Sequence, residues 1–412
     1  MTVDQAVSAY EDASWKLFEK FNRLVGFGQP APYPAYARLR AQAPVHPGLP
    51  HLGIPPDPHA DAPTFTVFGY DAAVEALLDP ERFSSTAYDT IIGHVFGRSV
   101  IEMDPPEHRD YRMLLQPSLG PRTMSAWNAD IIAPLITEMI GDLRPRGSAD
   151  LVRELLFAFP MRTFAAMLGL PDEQYPVFHR YATELITLSY DVERGRACAA
   201  AVGELLGVVL DARRAEPRND LMTVLAQAEH EGQRLEDEEI FSFLRLLLPA
   251  GAETTYRASS SLLTALLSDP DLADAVRDDP ALRTAAVNEA FRWEPPLQFV
   301  PRRAQRDVVL GGVAIPAGST VIVNLGAANH DPARWEDPER FDPHRPHQPA
   351  LAFGHGAHLC IGMHLSKIEV EGLLAALLTE LPNLRLDPAA EPPAVQGVLM
   401  RSAPRLDVVW DV

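Results

Sequence analysis

The sequence has little of what marks secreted, membrane-bound or nucleic-acid-binding proteins. Its 412 residues include two cysteines, Cys198 and Cys360, which excludes a disulfide framework and is compatible with a reducing cytosol. No apolar run approaches the ~20 residues of a membrane span, since the most apolar stretch, residues 241–252, contains Arg245. The first ten residues are polar and acidic, unlike a signal peptide. We therefore expect a cytoplasmic protein without a membrane anchor.

Positive charge is also scarce, because 36 Lys and Arg face 56 Asp and Glu and leave a net charge of −20. Nucleic-acid binding is disfavoured, since phosphate contacts need basic patches. An acidic partner protein would likewise need a local basic patch on a repelling surface. No Gly/Ser linker, repeat or low-complexity run divides the chain, and the 38 prolines are scattered through short loops. We therefore expect one domain over residues 1–412.

The stretch with the most chemistry is residues 353–362, Phe-Gly-His-Gly-Ala-His-Leu-Cys-Ile-Gly, around Cys360. A thiolate is a soft metal ligand. The start of a predicted helix, with its free N–H groups and positive dipole end, lowers the pKa of a thiol. Gly354 and Gly356 allow a tight turn that brings amide N–H groups towards the sulfur, and Gly362 leaves room for a flat neighbour. This pattern suggests haem with one cysteine ligand, which favours O–O cleavage.

Two simpler interpretations of this stretch remain open. A lone cysteine is most often a small buried hydrophobe. Alternatively, imidazole and thiolate groups suit zinc, although they lack a CxxC or HExxH frame here. The candidate zinc ligands are His355, His358, Cys360 and His364.

A long helix is predicted over residues 236–268, and Pro249 and Gly251 are expected to break or kink it. Such kinks often free backbone groups for a ligand or water, and Glu253 and Thr254 follow at once. The alternative is a plain kinked core helix.

Two further helices carry paired charges. Asp104-Pro105 is typical of a helix start. His108 and Arg112 then share one helical face, which either meets an anion or faces solvent. In the helix predicted over residues 280–293, Glu289 and Arg292 lie among apolar residues and are expected to be buried. Alternating apolar residues predict strands near 65–68 and over 297–326.

Taken together, these motifs resemble the cytochrome P-450 superfamily, the haem-thiolate monooxygenases, in its soluble bacterial type. The family's cysteine loop reads Phe-Gly-x-Gly-x-His-x-Cys-x-Gly. The resemblance spans residue 32 to the end. It implies a mainly α fold with small β-sheets, a triangular prism with a long central helix over the haem and a strand at the C-terminus. The matching residues are Phe353, Gly354, Gly356, His358, Cys360 and Gly362.

The resemblance also implies roles for individual residues. Cys360 would ligate the iron of haem b, and Glu253 and Thr254 would relay protons during dioxygen activation. Phe353 and Gly354 would contact the cofactor from the cysteine loop. The propionate-binding residues would be His108, Arg112, His358 and Arg302, with Arg303 as the fallback. The structural triad would be Glu289, Arg292 and Arg340.

The expected function is monooxygenation of a hydrophobic small molecule by hydroxylation or epoxidation. No flavin or iron–sulfur motif is present, so electrons would come from a ferredoxin or flavodoxin with an NAD(P)H reductase, docking at Arg109, Arg345 and Lys367. The alternatives are a haem-thiolate peroxygenase or coupling or dehydration enzyme and, more distantly, a non-enzymatic ligand- or zinc-binding helical protein. The pocket candidates are Tyr88, Ile92, Val95, Phe96, Leu185, Leu247, Phe299, Val300, Leu399 and Met400.

Overall fold

The computed structural model describes residues 3–52, 62–187 and 191–412, and helices dominate these ranges. Within these ranges, no helix is long and apolar enough to cross a membrane. The α-helices are α1 (Val3–Leu24), α2 (Tyr33–Gln42), α3 (Tyr70–Leu78), α4 (His94–Phe96), α5 (Glu107–Leu115), α6 (Pro121–Trp127), α7 (Ala133–Leu143), α8 (Ala158–Met167), α9 (Tyr175–Thr187), α10 (Val192–Ala215), α11 (Leu221–Ala226), α12 (Asp237–Leu267), α13 (Pro270–Asp278), α14 (Pro280–Trp293), α15 (Leu325–Asn329) and α16 (Met363–Glu380).

The strands are short and form small sheets, as predicted. They are β1 (Val45–Pro47), β2 (Thr64–Val67), β3 (Phe83–Ser84), β4 (Ser148–Asp150), β5 (Glu229–His230), β6 (Gln233–Arg234), β7 (Phe299–Ala304), β8 (Val308–Leu310), β9 (Val313–Ile315), β10 (Thr320–Asn324), β11 (Arg385–Leu386) and β12 (Asp407–Val409). The largest sheet has the order β1-β2-β10-β7-β3, in which β2 and β10 are parallel and β7 and β10 antiparallel. A second sheet has the order β11-β12-β4, and β5-β6 and β8-β9 are hairpins.

Helix α12 is the long central helix, and it packs against α8, α9, α10, α14 and α16. It begins with a capping box. The Glu236 side chain accepts a hydrogen bond from the Glu239 N–H, and the Glu239 side chain accepts one from the Glu236 N–H. Helix α12 continues through Pro249, so the proline does not break it, and the kink expected there stays a prediction. Proline removes one backbone hydrogen bond, and the packed neighbours hold the helix together despite this loss. A Cβ at Gly251 would overlap the Phe164 ring, so this glycine admits α8 to close contact.

The sequence placed several elements well and misplaced one helix start. The helical spacing of residues 70–78 predicts α3 at the bounds observed, the predicted bounds of α14 are confirmed, and β2 lies within one residue of its predicted place. However, α5 begins at Glu107 rather than directly after Asp104. The Asp104 carboxylate instead accepts hydrogen bonds from the Ser84 hydroxyl and from the Ser85 N–H at 2.9 Å. Asp104 therefore joins the start of α5 to the end of β3 and does not cap a helix.

Two hydrophobic clusters position the site. The larger one lies between α12 and the helices around it, with contributions from α1, α7, α8, α9, α14 and α16. The smaller one packs α3 against the largest sheet, through residues such as Ala73, Val67 and Val323. The cysteine loop follows the buried Leu351 of the smaller cluster and leads into α16, which belongs to the larger one. The loop is thus held between the two clusters.

Candidate functional site

The cysteine loop, residues 353–362, folds back on itself before α16 begins. The Gly354 N–H donates to the Leu351 carbonyl at 2.8 Å, and the Cys360 N–H donates to the Phe353 carbonyl at 2.9 Å. Gly354 has a φ of +71°, a region that favours glycine. None of residues 353–364 is buried, although buried segments flank them. The loop therefore presents an accessible surface with the thiol on it.

The surroundings of the Cys360 thiol act on its pKa in both directions. Cys360 is exposed, but protein atoms around the sulfur displace part of its water, and this desolvation raises the pKa of its thiol. The N–H groups of Gly362 and Met363 and the charge of Arg112 lower the pKa. A Cβ at Gly362 would lie 3.9 Å from Sγ, so glycine leaves the flank of the sulfur clear. A positive ion at the sulfur would complete the stabilisation of the thiolate that these groups begin.

The zinc alternative is not supported by the geometry. Among the residues that the structure describes, no three His, Cys, Asp or Glu side chains come together as a metal-binding group. His355, His358, Cys360 and His364 are all described residues, so the alternative of a zinc site formed by them is wrong. Cys360 is left as a single metal ligand from this stretch.

Four basic groups converge beside the loop. His108 of α5 is buried, and its ring centroid lies 4.1 Å from that of His358. Burial lowers the pKa of His108 to about 4, and the positive charge of Arg112 adds to this. Burial also lowers the pKa of His358 to about 3, as do the charges of His108, Arg302 and Arg112. The cluster thus repels further positive charge and attracts an anion.

Unused hydrogen-bonding capacity in this cluster also points to an anion. Nε2 of His358 is buried and has no partner among the described residues. Arg302 of β7 is 4% exposed, and its Nη1 donates to the adjacent Pro301 carbonyl at 2.8 Å. A guanidinium has five N–H donors, so Arg302 keeps capacity for an acceptor. Arg302 forms a hydrogen bond with the Tyr88 hydroxyl and interacts with the charge of the Asp104 carboxylate.

The two arginine alternatives separate because a strand alternates its faces. Arg302 is buried within the basic cluster, whereas Arg303 points to the other face of β7 and is half-buried. Arg112 bonds directly to the cysteine loop. Its Nη1 donates to the Ala357 carbonyl at 3.1 Å and its Nη2 to the Leu359 carbonyl at 2.7 Å. Arg112 therefore ties α5 to the loop.

On α12, Glu253 and Thr254 have different partners. Glu253 is buried and forms an ion pair with Arg257, one turn later, at 2.9 Å. Burial raises the pKa of Glu253, and Arg257 opposes this rise. The Thr254 hydroxyl donates to the Ala250 carbonyl at 2.6 Å. The two side chains are adjacent in sequence but point to different sides of the helix.

The predicted structural triad was wrong in its third member. Glu289 accepts from Arg292 at 2.7 and 2.8 Å, and from Nε of Arg345 at 3.4 Å. Arg340 is exposed, and only its backbone carbonyl meets Arg292, at 3.0 Å. Arg345 has a side chain that is 10% exposed, so its prediction as a docking cation was also wrong. Both arginines lie at plausible spacings from Glu289, and the sequence held no signal to choose between them.

The pocket candidates do not form one set. Leu185 of α9 has no accessible surface and packs in the larger hydrophobic cluster, so its prediction as a lining residue was wrong. Tyr88 belongs to the basic cluster through its hydrogen bond to Arg302.

The remaining candidates differ in their packing. Phe299 packs beside His51, with ring centroids 4.9 Å apart, and Val300 packs on the largest sheet. Val95, Phe96, Leu247 and Met400 are buried, and Ile92 and Leu399 are partly so. Sequence reasoning missed Leu297, which pairs with Met400 through a β-bridge.

A cleft of about 610 Å³ lies away from all of these residues, beside β4 and β12. Its lining is rich in charges that pair with one another, such as Arg146 with Glu154 and Arg405 with Asp407. The described residues that line it include no predicted site residue. Volume alone therefore does not locate the chemistry in this protein.

Comparisons with known proteins decide the family. The family model "Cytochrome P450" matches residues 209–405. The chain is 34% identical over 369 residues to the "Cytochrome P450 monooxygenase PikC" of Streptomyces venezuelae, covering 86% of this chain and 85% of that protein. The chain belongs to the cytochrome P-450 family. It is also 33% identical over 371 residues to the vitamin D(3) 25-hydroxylase of Pseudonocardia autotrophica, covering 86% and 87% of the two chains.

Solved structures agree with this assignment. The crystal structure of CYP109E1 from Bacillus megaterium in complex with testosterone has a TM-score of 0.83 and 28% identity, and it covers 93% of this chain and 100% of that one. The predicted cytochrome P-450 fold is confirmed. The protein is a haem-dependent monooxygenase that acts on small molecules, uses redox partners and binds haem b through a cysteine thiolate. The non-enzymatic alternative is therefore wrong.

Proposed function

We propose that this cytochrome P-450 inserts one oxygen atom of dioxygen into a hydrophobic small molecule, with Cys360 as the iron ligand. A substrate C–H bond, dioxygen, two electrons and two protons give a C–OH group and water. The haem, when bound, supplies dioxygen binding and O–O cleavage. The accessible thiol of Cys360 at the start of α16, with N–H groups aimed at it, carries this proposal.

The basic cluster fits the two propionate groups of haem. In this proposal, His108, Arg112, His358 and Arg302 hold the carboxylates, and Arg112 also keeps the cysteine loop against α5. The unpartnered Nε2 of His358 and the buried guanidinium of Arg302 support this assignment. A bound carboxylate would raise the pKa values of both histidines, because it favours their charged forms. Phe353, whose ring centroid lies 4.6 Å from that of Phe291, and Gly354 would shape the loop around the cofactor.

We assign proton handling to Glu253 and Thr254. The Thr254 hydroxyl has a single proton, with which it donates a hydrogen bond to the Ala250 carbonyl. Its oxygen can therefore accept a hydrogen bond from water, and rotation about the C–O bond would let it donate. Glu253 can hold a proton because burial raises its pKa. Thr254→Ala should divert NADH from product to hydrogen peroxide. Unchanged coupling would count against this role of Thr254.

The substrate class proposed here is apolar. The segment that carries Leu399 and Met400 packs beside Leu297, and all three side chains are hydrophobic. The relatives named above include a vitamin D(3) hydroxylase and a protein crystallised with testosterone. A rigid sterol-like compound is therefore the first candidate, ahead of fatty acids, terpenoids and small aromatics. A screen for spin-state shifts with matched compounds of each class would rank them.

We propose a ferredoxin or flavodoxin with an NAD(P)H reductase as the electron source. Of the predicted docking cations, Arg109 is exposed, and Lys367 lies 5.5 Å from the centre of the Phe353 ring. Arg109→Glu should slow reduction by an acidic ferredoxin several-fold and leave reduction by dithionite unchanged. Arg385→Glu, at an exposed site on β11, is the control. Equal slowing by both variants would contradict docking at Arg109.

The deciding experiment compares carbon monoxide spectra of two cysteine variants. The wild type and Cys198→Ser should show the long-wavelength Soret band of thiolate-ligated haem. Cys360→Ser should lose that band, because an alcohol does not replace a thiolate in donor strength. Cys198 is buried and donates to the Tyr181 carbonyl at 3.2 Å, so its variant controls for the loss of a thiol. Retention of the band in Cys360→Ser would refute the ligand assignment.

A further inference from the structure

Arg257 lies one turn after Glu253 on α12 and has no exposed surface. Its Nε and Nη2 donate to Oε1 of Glu253 at 3.1 and 2.9 Å. Nη2 also donates to Oδ1 of Asn22 in α1 at 2.7 Å, and Nη1 donates to the Ser402 hydroxyl at 3.0 Å. One planar guanidinium therefore joins three segments of the chain.

Aromatic rings enclose this guanidinium. Its carbon lies 5.4, 5.3 and 5.0 Å from the ring centres of Phe18, Phe27 and Tyr256. Such contacts stabilise a desolvated cation. A lysine would supply charge but not the planar fork that reaches three acceptors at once. The surroundings thus select arginine by shape as well as by charge.

The carboxylate of Glu253 depends on this arginine for its charge. Burial favours the neutral acid, and Arg257 is the positive group that offsets it among the described residues. Tyr256, on the same helix, is the other titratable neighbour. The other two partners of Arg257 are neutral. They are Asn22 of α1 and Ser402 near the C-terminus.

Ser402 ends the segment 396–402, which carries Leu399 and Met400 and is held by several hydrogen bonds. Gln396 and Ser402 pair through backbone hydrogen bonds of 2.9 and 3.1 Å. Arg401 forms a buried pair with Glu294 at 2.6 and 2.8 Å. A movement of this segment would carry the Ser402 hydroxyl with it and would alter its hydrogen bond to Arg257.

We propose that Arg257 is a positioning residue for the monooxygenase reaction. It holds the Glu253 carboxylate in place and links it, through Ser402, to segment 396–402, which carries the predicted pocket residues Leu399 and Met400. The inference rests on the proton role proposed for Glu253. It adds that proton handling is coupled to the segment carrying Leu399 and Met400, through Ser402. Arg257 acts through Glu253 and touches no substrate itself.

The same helix provides a matched control. Arg245 is also buried, donates to the Ala199 carbonyl at 3.0 Å and pairs with Glu238 at 2.5 Å. Its partner Glu238 has a side chain that is 70% exposed. Arg245 lies twelve residues before Arg257, or about 18 Å along the helix. Arg245→Gln removes a buried guanidinium of α12 without touching Glu253.

The test is a double-substitution cycle in the haem-loaded enzyme. Glu253→Gln, Arg257→Gln, the double variant and Arg245→Gln are compared for product formed per NADH, with testosterone as the probe substrate if it shifts the spin state. Arg257→Gln should lower this ratio several-fold, to the level of Glu253→Gln, and the double variant should fall no further. Arg245→Gln should keep the wild-type ratio.

Infrared spectroscopy supplies a readout besides activity. Arg257→Gln should produce a protonated carboxyl band at neutral pH, and the band should be missing in the double variant. An unchanged carboxyl region or additive losses of coupling would overturn the inference. Normal coupling in Glu253→Gln would refute the proton role itself. A new band in Arg257→Gln with normal coupling, while Glu253→Gln is uncoupled, would refute the inference alone.

A smaller substitution covers the case in which Arg257→Gln does not fold. Ser402→Ala removes a single hydrogen bond from Nη1 of Arg257 and leaves the ion pair in place. It should lower coupling about twofold while testosterone affinity, measured by spin-state titration, stays within a factor of two. Arg257→Lys should recover part of the coupling lost in Arg257→Gln. Ser402→Ala added to Arg257→Lys should lower coupling no further. Coupling equal to that of the wild type in Ser402→Ala would overturn the link to segment 396–402.

Discussion

Replacing Arg345 by alanine should loosen the connection between α14 and the segment before the cysteine loop. The Arg345 side chain gives Glu289 a charged hydrogen bond at 3.4 Å and also donates to the carbonyls of Glu336, Asp337 and Arg340. A hydrogen bond to a charged group contributes ~1.5–3 kcal/mol and a neutral one ~1 kcal/mol. Glu289 keeps its bonds to Arg292, and water can reach the exposed carbonyls. We therefore expect a loss of about 2–4 kcal/mol.

The assay is urea unfolding of haem-loaded protein, followed by circular dichroism and by loss of the Soret band. Arg340→Ala is the control, because the Arg340 side chain is exposed and should change stability by no more than ~0.5 kcal/mol. Arg345→Lys should fall between the two, since it keeps the charge but loses the fork. An Arg340→Ala loss as large as that of Arg345→Ala would refute the reassigned triad.

Three other predictions concern separate parts of the molecule. Gly251→Ala should cost about 1–3 kcal/mol of unfolding free energy through overpacking against Phe164, and Phe164→Leu should restore part of it; no rescue would contradict this contact. Burial lowers the pKa of His179 to about 4, against ~6.5 when unfolded. Below pH ~6.5 the unfolded chain therefore binds more protons than the folded one. The free energy of unfolding is greatest above this pH and decreases as the pH is lowered, by about 2 kcal/mol at pH 5. His179→Leu should show a flatter profile in urea unfolding, and an unchanged slope would count against it. Arg302→Gln should speed haem loss to apomyoglobin several-fold, whereas Arg303→Gln should not; equal rates would contradict the propionate assignment.

Local motifs were predictable because their geometry depends on neighbours in the chain. The glycine turns around Cys360 and the start of α16 follow from residues 353–363 alone. The bounds of α3 and α14 follow from apolar spacing and from Pro280 at a helix start. Helix α1 was not predicted, although its apolar residues Trp15, Phe18 and Phe21 pack in the core.

Choices between equivalent residues depended on the tertiary structure. Strand alternation separates Arg302 from Arg303, but the face that meets His358 depends on how β7 pairs with β10 and β3. Leu185 is apolar like Leu399, and only its burial in α9 shows that it packs in the core.

The partner of Glu253 shows the same division. The four-residue spacing to Arg257 allows an ion pair on any helix, and the sequence alone determines that spacing. The bonds from Arg257 to Asn22 and Ser402 join residues 235 and 145 positions apart. Contacts at such separations form only when the whole chain packs, since chain entropy opposes each of them until many form together. The sequence by itself determined the ligand loop and the family, and the packing decided which side chains meet.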